Sequence, residues 1–358
     1  MSASSANNPV PTLSALMQSA NAQWRVYDMG RIIQPVSKAD FTAIENGQKP
    51  YPYPIQKKAR FAMVFWDQET KGPEAKANPF IWFLQFDLDE IGLLNLQQRD
   101  HYISLVIKEL GSKMLDSSEQ QSTLDNHPYS FTPDQNRQAA FNAKVKVALK
   151  QPASMHYEHV QAYFAGQIDA DKWQELTVQG IADFSARIDQ ANNERDLINH
   201  LSDLSVQTLC AIGATLEHEK ISLKLTNKLT ELQDQALAEN DSEQVLNLLR
   251  CLVGSPAERL VLAQLKKLLA SAGSNEETLF IVIVGRFWQY FEDKEFLHLF
   301  FEKAATNTNK LLFSGLFIDL VAIPSVREHM LGLLRDPSRP ETISVAISTV
   351  FGKQPAVN

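Results

Sequence analysis

The sequence predicts a small α+β module, mainly an antiparallel sheet with helices, followed by an all-α helical array that is HEAT-like or an irregular bundle. Three observations carry this. Short runs rich in aromatic and β-branched residues are confined to the first third of the chain, at Phe61 to Trp66 and Phe80 to Phe86. From Thr132 onward, apolar residues recur instead at i, i+3 and i+4, the spacing of one helical face. Between these regions the chain loses periodicity and gains Ser, Gln, Asp, Asn and Pro. The expected divisions are a disordered tail over residues 1–11, the α+β module over 12–111, a linker over 112–131 and the helical array over 132–358. A length of 358 residues, with 44% hydrophobic and 21% charged residues, suits two packed regions better than one core.

The elements of the module follow in order. Thr12 is placed to cap a short amphipathic helix carrying Leu13, Leu16 and Met17. Trp24, Val26 and Asp28 then alternate with Arg25 and Tyr27, and Arg31 to Val36 follows Gly30, which predicts a hairpin of two short strands. Ser37 and Asp40 form a capping-box-like pair ahead of Phe41, Ile44 and Glu45, and Gly47 can end that helix in the left-handed conformation. Pro50, Pro52 and Pro54 fix their own φ and extend the residues before them, so Lys49 to Ile55 is a stiff connector. The two apolar runs predict neighbouring strands joined by the charged loop Asp67 to Asn78, which holds Gly72-Pro73. Leu96 to Leu110 closes the module as a helix stopped at Gly111.

In the array, helix starts are read at Thr132-Pro133 with Gln135, at Ser255-Pro256, at Ser274 with Glu277 and at Ser338 with Glu341. Val245, Leu248, Leu249 and Leu252 make one apolar face, and Val261, Leu265, Leu268 and Leu269 the next. Breaks recur about every 15 to 20 residues, the scale of helix pairs in solenoids. No tetratricopeptide, ankyrin or leucine-rich consensus repeats, so a regular solenoid and an irregular bundle both fit. Leu279 to Phe291 is apolar nearly all round, which predicts a helix enclosed by others.

Several strings in the module carry a resemblance: Tyr27-Asp28-Met29-Gly30-Arg31, Pro50-Tyr51-Pro52-Tyr53-Pro54, Val64-Phe65-Trp66, Ile81-Trp82-Phe83-Leu84, Leu88-Asp89-Glu90, Gly92-Leu93-Leu94 and Tyr129-Ser130-Phe131-Thr132-Pro133. They resemble an uncharacterised bacterial family of the "domain of unknown function" type, over nearly the full length. The resemblance implies a bacterial origin and a coherent full-length architecture, with no activity, cofactor or site attached.

Charge and composition narrow the functional classes. Formal net charge is −8, with 12 basic against 14 acidic residues in 1–130 and 22 against 28 beyond. Nucleic-acid affinity draws on Lys and Arg displacing counterions from phosphates, so no nucleic-acid partner is expected. The short cluster Lys57, Lys58, Arg60 fits a solvated strand edge. No apolar stretch reaches the roughly 20 residues of a membrane span. The N-terminus lacks the basic and apolar regions of a secretory signal. Cys210 and Cys251 fall in two different helical segments beside apolar neighbours and read as reduced core thiols, so the expected location is cytoplasmic.

Chemistry-bearing patterns are few. The 14 glycines come no closer than Gly273 and Gly285, which removes the Rossmann, Walker A and Gly-x-Ser-x-Gly signatures together, and no cofactor is expected. His156 and His159, with Asp169 or Asp171, could offer ligands to a metal, but a polar helix face accounts for the pair without one. Asp87, Asp89 and Glu90 could do acid–base work, or simply end a strand. The candidate binding surface is Tyr27, Asp28 and Arg31 from the hairpin with Tyr51, Tyr53, Trp66 and Asp67: rings on a stiff segment lose little entropy on binding, and the charged groups can orient a ligand. The alternative is that these rings pack the module's own core and its interface with the helices, since aromatic side chains bury large areas wherever they can. Two functions are carried forward. One is a non-enzymatic adaptor in which a helical-array surface binds an unknown protein partner. The other is an enzyme or small-molecule binder with a site at the junction of the two modules.

Overall fold

The computed structural model describes residues 12–67, 79–113, 127–271, 276–309 and 311–351. They fall into two compact units, Met1–Pro133 and Asp134–Asn358. The expected tail over residues 1–11 and most of the loop Asp67 to Asn78 lie outside the described residues.

In the first unit, α1 (Leu13–Ser19) begins where the Thr12 hydroxyl accepts the Ala15 N–H. Strand β1 (Ala22–Asp28) pairs antiparallel with β2 (Gln34–Val36) on one side and with β3 (Lys58–Asp67) on the other, and β4 (Phe80–Asp87) pairs antiparallel with β3. The order is β2-β1-β3-β4. Register puts Val26 opposite Met63 and Met63 opposite Trp82, so these side chains share a face. That face forms one core with Leu13 and Met17 of α1, Phe41 and Ile44 of α2 (Lys38–Glu45), and Ile103 and Val106 of α3 (Leu96–Lys113). The caps of α2 are as expected: Ser37 accepts the Asp40 N–H, and Gly47 at φ +66° lets the Gln48 N–H turn back to the Ala43 carbonyl.

Two expectations shift. Gly111 does not stop α3, which continues to Lys113, since one helical glycine costs only about 1 kcal/mol. Residues 127–131, read as the end of a linker, dock on β4 instead. The Gln85 N–H donates to the Tyr129 carbonyl and the Phe131 N–H to the Phe83 carbonyl, so this segment satisfies backbone groups that an edge strand would otherwise expose.

The second unit holds α4 (Gln135–Ala148), α5 (Tyr157–Phe164), α6 (Val178–Ser185), α7 (Asn193–His200), α8 (Val206–Leu216), α9 (Leu223–Ala238), α10 (Ser242–Cys251), α11 (Glu258–Ala270), α12 (Glu277–Arg286), α13 (Lys294–Thr306), α14 (Leu312–Val321), α15 (Arg327–Arg335) and α16 (Glu341–Phe351). Alternate helices lie side by side: α4, α6, α8, α10, α12 and α14 pack in succession as one layer. Helices α5, α7 and α9, and again α11 and α13, form the other, with α5 on α6, α9 on α10 and α13 on α14 joining the two. That succession resembles the stacking of a solenoid, while α4 also packs directly on α8, so the array is irregular where it begins.

Helix starts depart from the expected boxes. Asp134, not Thr132, caps α4 by accepting the Arg137 N–H. Ser338 gives its hydroxyl to Asp336, and Ser255 accepts the Ala257 N–H just ahead of α11. Ser274 lies outside the described residues. Any of several nearby oxygens can satisfy a first-turn N–H, and spacing alone does not choose among them.

Candidate functional site

The seven residues of the candidate surface separate into two groups because successive strand side chains point to opposite faces. Asp28, Arg31 and Tyr51 are fully buried and Tyr53 half-buried, and these four come together. The Tyr51 hydroxyl lies 2.6 Å from Asp28 Oδ1, the backbone N–H groups of Gly30 and Arg31 donate to the same carboxylate at 3.2 Å each, and Arg31 Nε donates to the Pro54 carbonyl at 2.9 Å. Burial, then the adjacent Asp28, pushes the Tyr51 phenol well above its ordinary value. Gly30 is needed where it stands: a Cβ there would come within 3.2 Å of both the Tyr53 carbonyl and Ile55 Cγ2. The proline-rich segment therefore folds over the hairpin as a polar knot inside the unit, where Asp28 and Tyr51 offer no surface to a ligand.

Tyr27 and Trp66 lie on the other face of the sheet, both under a tenth exposed, with the Arg25 guanidinium 6.0 Å from the Trp66 ring. Asp67 ends β3 opposite Ala22. Two of the acidic trio are structural: Asp87 accepts from Lys58 and Gln98, and Asp89 accepts the N–H groups of Ile91 and Leu93, while Glu90 is exposed. His156 stands at the N-terminus of α5, and His159 Nε2 is 3.7 Å from Glu175. Cys251 is buried, and burial pushes its thiol up to about 12. Cys210 is exposed on α8, which corrects the expectation of two core thiols.

A buried charge cluster in the second unit was not singled out from sequence. Glu217, just past α8, has its side chain 1% exposed. Arg250 Nε at the end of α10 donates to its Oε2 at 2.7 Å, and Arg286 Nη2 at the end of α12 to its Oε1 at 2.8 Å. Burial alone would raise the Glu217 carboxyl, but Arg286, then His218 and Arg250, hold it down at about 2. His218 is itself kept well below its ordinary value, by burial first and then by Arg137, Arg286 and Lys144 against the pull of Glu217. Being neutral at pH 7, it leaves the two guanidiniums to stabilise the carboxylate there. Lys144 of α4 bonds the His218 carbonyl and Glu219 at 2.6 and 2.7 Å. The cluster thus fastens α4, α8, α10 and α12 to one another.

A charged cleft of about 350 Å³ sits between α13 and α15, lined among others by Glu292, His298, His329 and Asp336. Asp336 receives Lys294 at 2.8 Å, His298 Nε2 at 3.0 Å and the Ser338 hydroxyl at 2.7 Å. A nucleophile triad needs the imidazole on the serine. Here both imidazole and hydroxyl are spent on the carboxylate, so the geometry latches α13 to the turn before α16 and activates nothing. Among the described residues no cluster of His, Cys, Asp and Glu has the geometry of a metal site, and no helix is long and apolar enough to cross a membrane.

What the second unit does present is an open apolar face on α12 and α14. Ile281, Leu311 and Ile318 are 58%, 77% and 49% exposed. A Cβ built on Gly285 or Gly315 would meet nothing within 4 Å. The expectation of an enclosed helix over Leu279 to Phe291 is therefore corrected: α12 stops at Arg286, a 3₁₀ turn follows at Trp288–Glu292, and Ile281 points outward. In a two-layer stack one face of each helix meets the other layer and the opposite face stays open, whatever its composition.

The family model described as "Protein of unknown function (DUF3549)" matches residues 8–351, and the chain belongs to that family. No curated protein and no solved structure matches it significantly.

Proposed function

We propose that this member of the DUF3549 family is a non-enzymatic adaptor of the bacterial cytoplasm, binding a protein partner on the layer formed by α8, α10, α12 and α14. The observation that carries this is the exposed aliphatic strip Ile281, Leu311 and Ile318 on neighbouring helices, interrupted by two helical glycines with open space before them. Fully burying one such side chain against a partner contributes about 1.5–3 kcal/mol. A glycine inside a helix costs about 1 kcal/mol, and neither Gly285 nor Gly315 recovers that by close packing within the chain. A partner backbone approaching the face would use both features. The ionisable clusters support the same reading from the other side, since Glu217 and Asp336 are each consumed by several internal donors. The unpaired thiols of Cys210 and Cys251 suit a reducing compartment.

The test is affinity capture with cross-linking and mass spectrometry, comparing the full chain with an Ile318→Asp variant. The expected result is a partner retained by the native chain and lost by the variant, with unchanged circular dichroism for both. Equal retention by the two would overturn the reading.

A further inference from the structure

We propose that this face takes an acidic, aliphatic segment of a protein partner, with Arg250 and Arg286 clamping a carboxylate while Ile281, Leu311 and Ile318 receive its apolar side chains; this rests on reading the face as a docking surface and adds the chemistry of the occupant. A guanidinium carries five N–H donors in a planar fork suited to carboxylates. Arg250 commits Nε to Glu217, and its two terminal nitrogens bond nothing among the described residues. Arg286 commits Nη2 to Glu217 and Nη1 to the Gly285 carbonyl; its Nε is buried without an acceptor, so only the remaining N–H groups of its terminal nitrogens can face a partner. Both side chains remain partly exposed, 26% and 17%. Two guanidiniums share one carboxylate, so the cluster keeps a surplus positive charge and unused donors at the ends of α10 and α12.

Ile281 and Ile318 lie within α12 and α14, and Leu311 stands at the start of α14. Helices α10, α12 and α14 are successive members of one layer, and on α12 Ile281 and Arg286 are five residues apart, roughly 140° round the helix, on either side of Gly285. A segment lying across the layer can therefore set aliphatic side chains on α12 and α14 and place an Asp or Glu against the guanidiniums. A basic segment would bring like charge to Arg250. A nucleic-acid strand would meet the arginines but leave the aliphatic strip uncovered.

Selection of a random peptide library on the immobilised full chain supplies the probe, and selected peptides are synthesised and titrated by fluorescence anisotropy. Enriched sequences should place Asp or Glu beside Leu, Ile or Val. Changing that acid to its amide in the peptide should weaken binding about tenfold, the scale of one charge-assisted contact. Arg250→Gln in the protein should do the same while Arg286 still holds Glu217, and Ile318→Asp should also weaken binding. Bound peptide should slow alkylation of Cys210, the exposed thiol on neighbouring α8. Loss on Ile318→Asp with no response to Arg250→Gln or to the peptide amide would sink the carboxylate clamp and leave the docking face standing. Indifference to all three changes, enrichment of basic peptides, or no enrichment would overturn the proposal. The peptide amide keeps the test valid even if Arg250→Gln weakens the fold.

Discussion

The two units each bury a carboxylate, and they satisfy it in different ways. Asp28 in the first unit takes two donors from the backbone two and three residues downstream and another from Tyr51. Glu217 in the second takes guanidiniums from 33 and 69 residues away, on two other helices. The first arrangement is mostly local: a tight hairpin with Gly30 at its corner supplies the backbone donors, and only the Tyr51 hydroxyl comes from the segment folded over it. The second exists only once the layer has stacked, so it reports on assembly of the array. A buried charge in a solenoid can thus serve as a fastener between repeats, whereas one in a hairpin shapes a turn.

Breaking the long-range carboxylate should have the largest effect. Glu217→Gln leaves two arginines short of their acceptor and is expected to cost about 3 kcal/mol or more. Hydrogen exchange resolved by segment should show α8, α10 and α12 losing protection while β1 and β3 keep theirs. Loss shared equally by both units would erase the contrast between them.

Acid should act on the same cluster. Glu217 titrates at about 2 when folded against 4.5 in the unfolded chain, a difference on the order of 3 kcal/mol. Because the folded value is depressed, that stability is present above 4.5 and is lost as pH falls toward 2. His218, depressed below 6.5, adds a loss that begins as pH drops through 6.5, since the unfolded chain takes up the proton first. Glu219, raised by burial, works in the opposite direction and recovers a part. Urea midpoints measured between neutral pH and pH 3 should fall, and a flat profile would contradict the cluster's role.

Asp28→Asn should cost about 1–3 kcal/mol, because the new amide brings donors to a site already filled with them. Tyr51→Phe, which removes one of the donors to Asp28, should cost about 1 kcal/mol. Here hydrogen exchange should rise around the hairpin and the segment Tyr51–Ile55 and leave α10 and α12 unaffected, the reverse of the Glu217 pattern.

The smallest effect has the opposite sign. Gly315→Ala is expected to raise stability by about 0.5–1 kcal/mol, since a helical glycine is replaced where nothing would meet the new methyl. Partner capture should weaken at the same time if a backbone approaches that position closely. Thermal melts together with capture yields separate the two effects.

Much of the fold was legible in the chain. Alternation from Trp24 to Asp28, the runs Phe61 to Trp66 and Phe80 to Phe86, and caps at Thr12, Ser37 and Gly47 all match observed elements, because each depends on near neighbours. The candidate site was legible only as a choice of residue types. Tyr51 and Asp28 have the composition of a binding surface, and neither periodicity nor spacing says that a proline segment will fold them inward over Gly30. Conversely, Ile281 belongs to a run with the composition of a core. A signal was present in Gly285 and Gly315, helical glycines with no turn to make, but composition alone could not tell an open face from a tightly packed one.

Local chemistry thus determined by itself that strands are confined to the first part of the chain and helices fill the rest, and where several of their caps fall. Tertiary structure alone decided that alternate helices stack in layers, that Glu217 meets arginines from two later helices, and which apolar faces stay uncovered. The reason is range. Backbone geometry and capping act over a few residues and are written in consecutive positions, whereas burial and ion pairing depend on which distant segments share a surface.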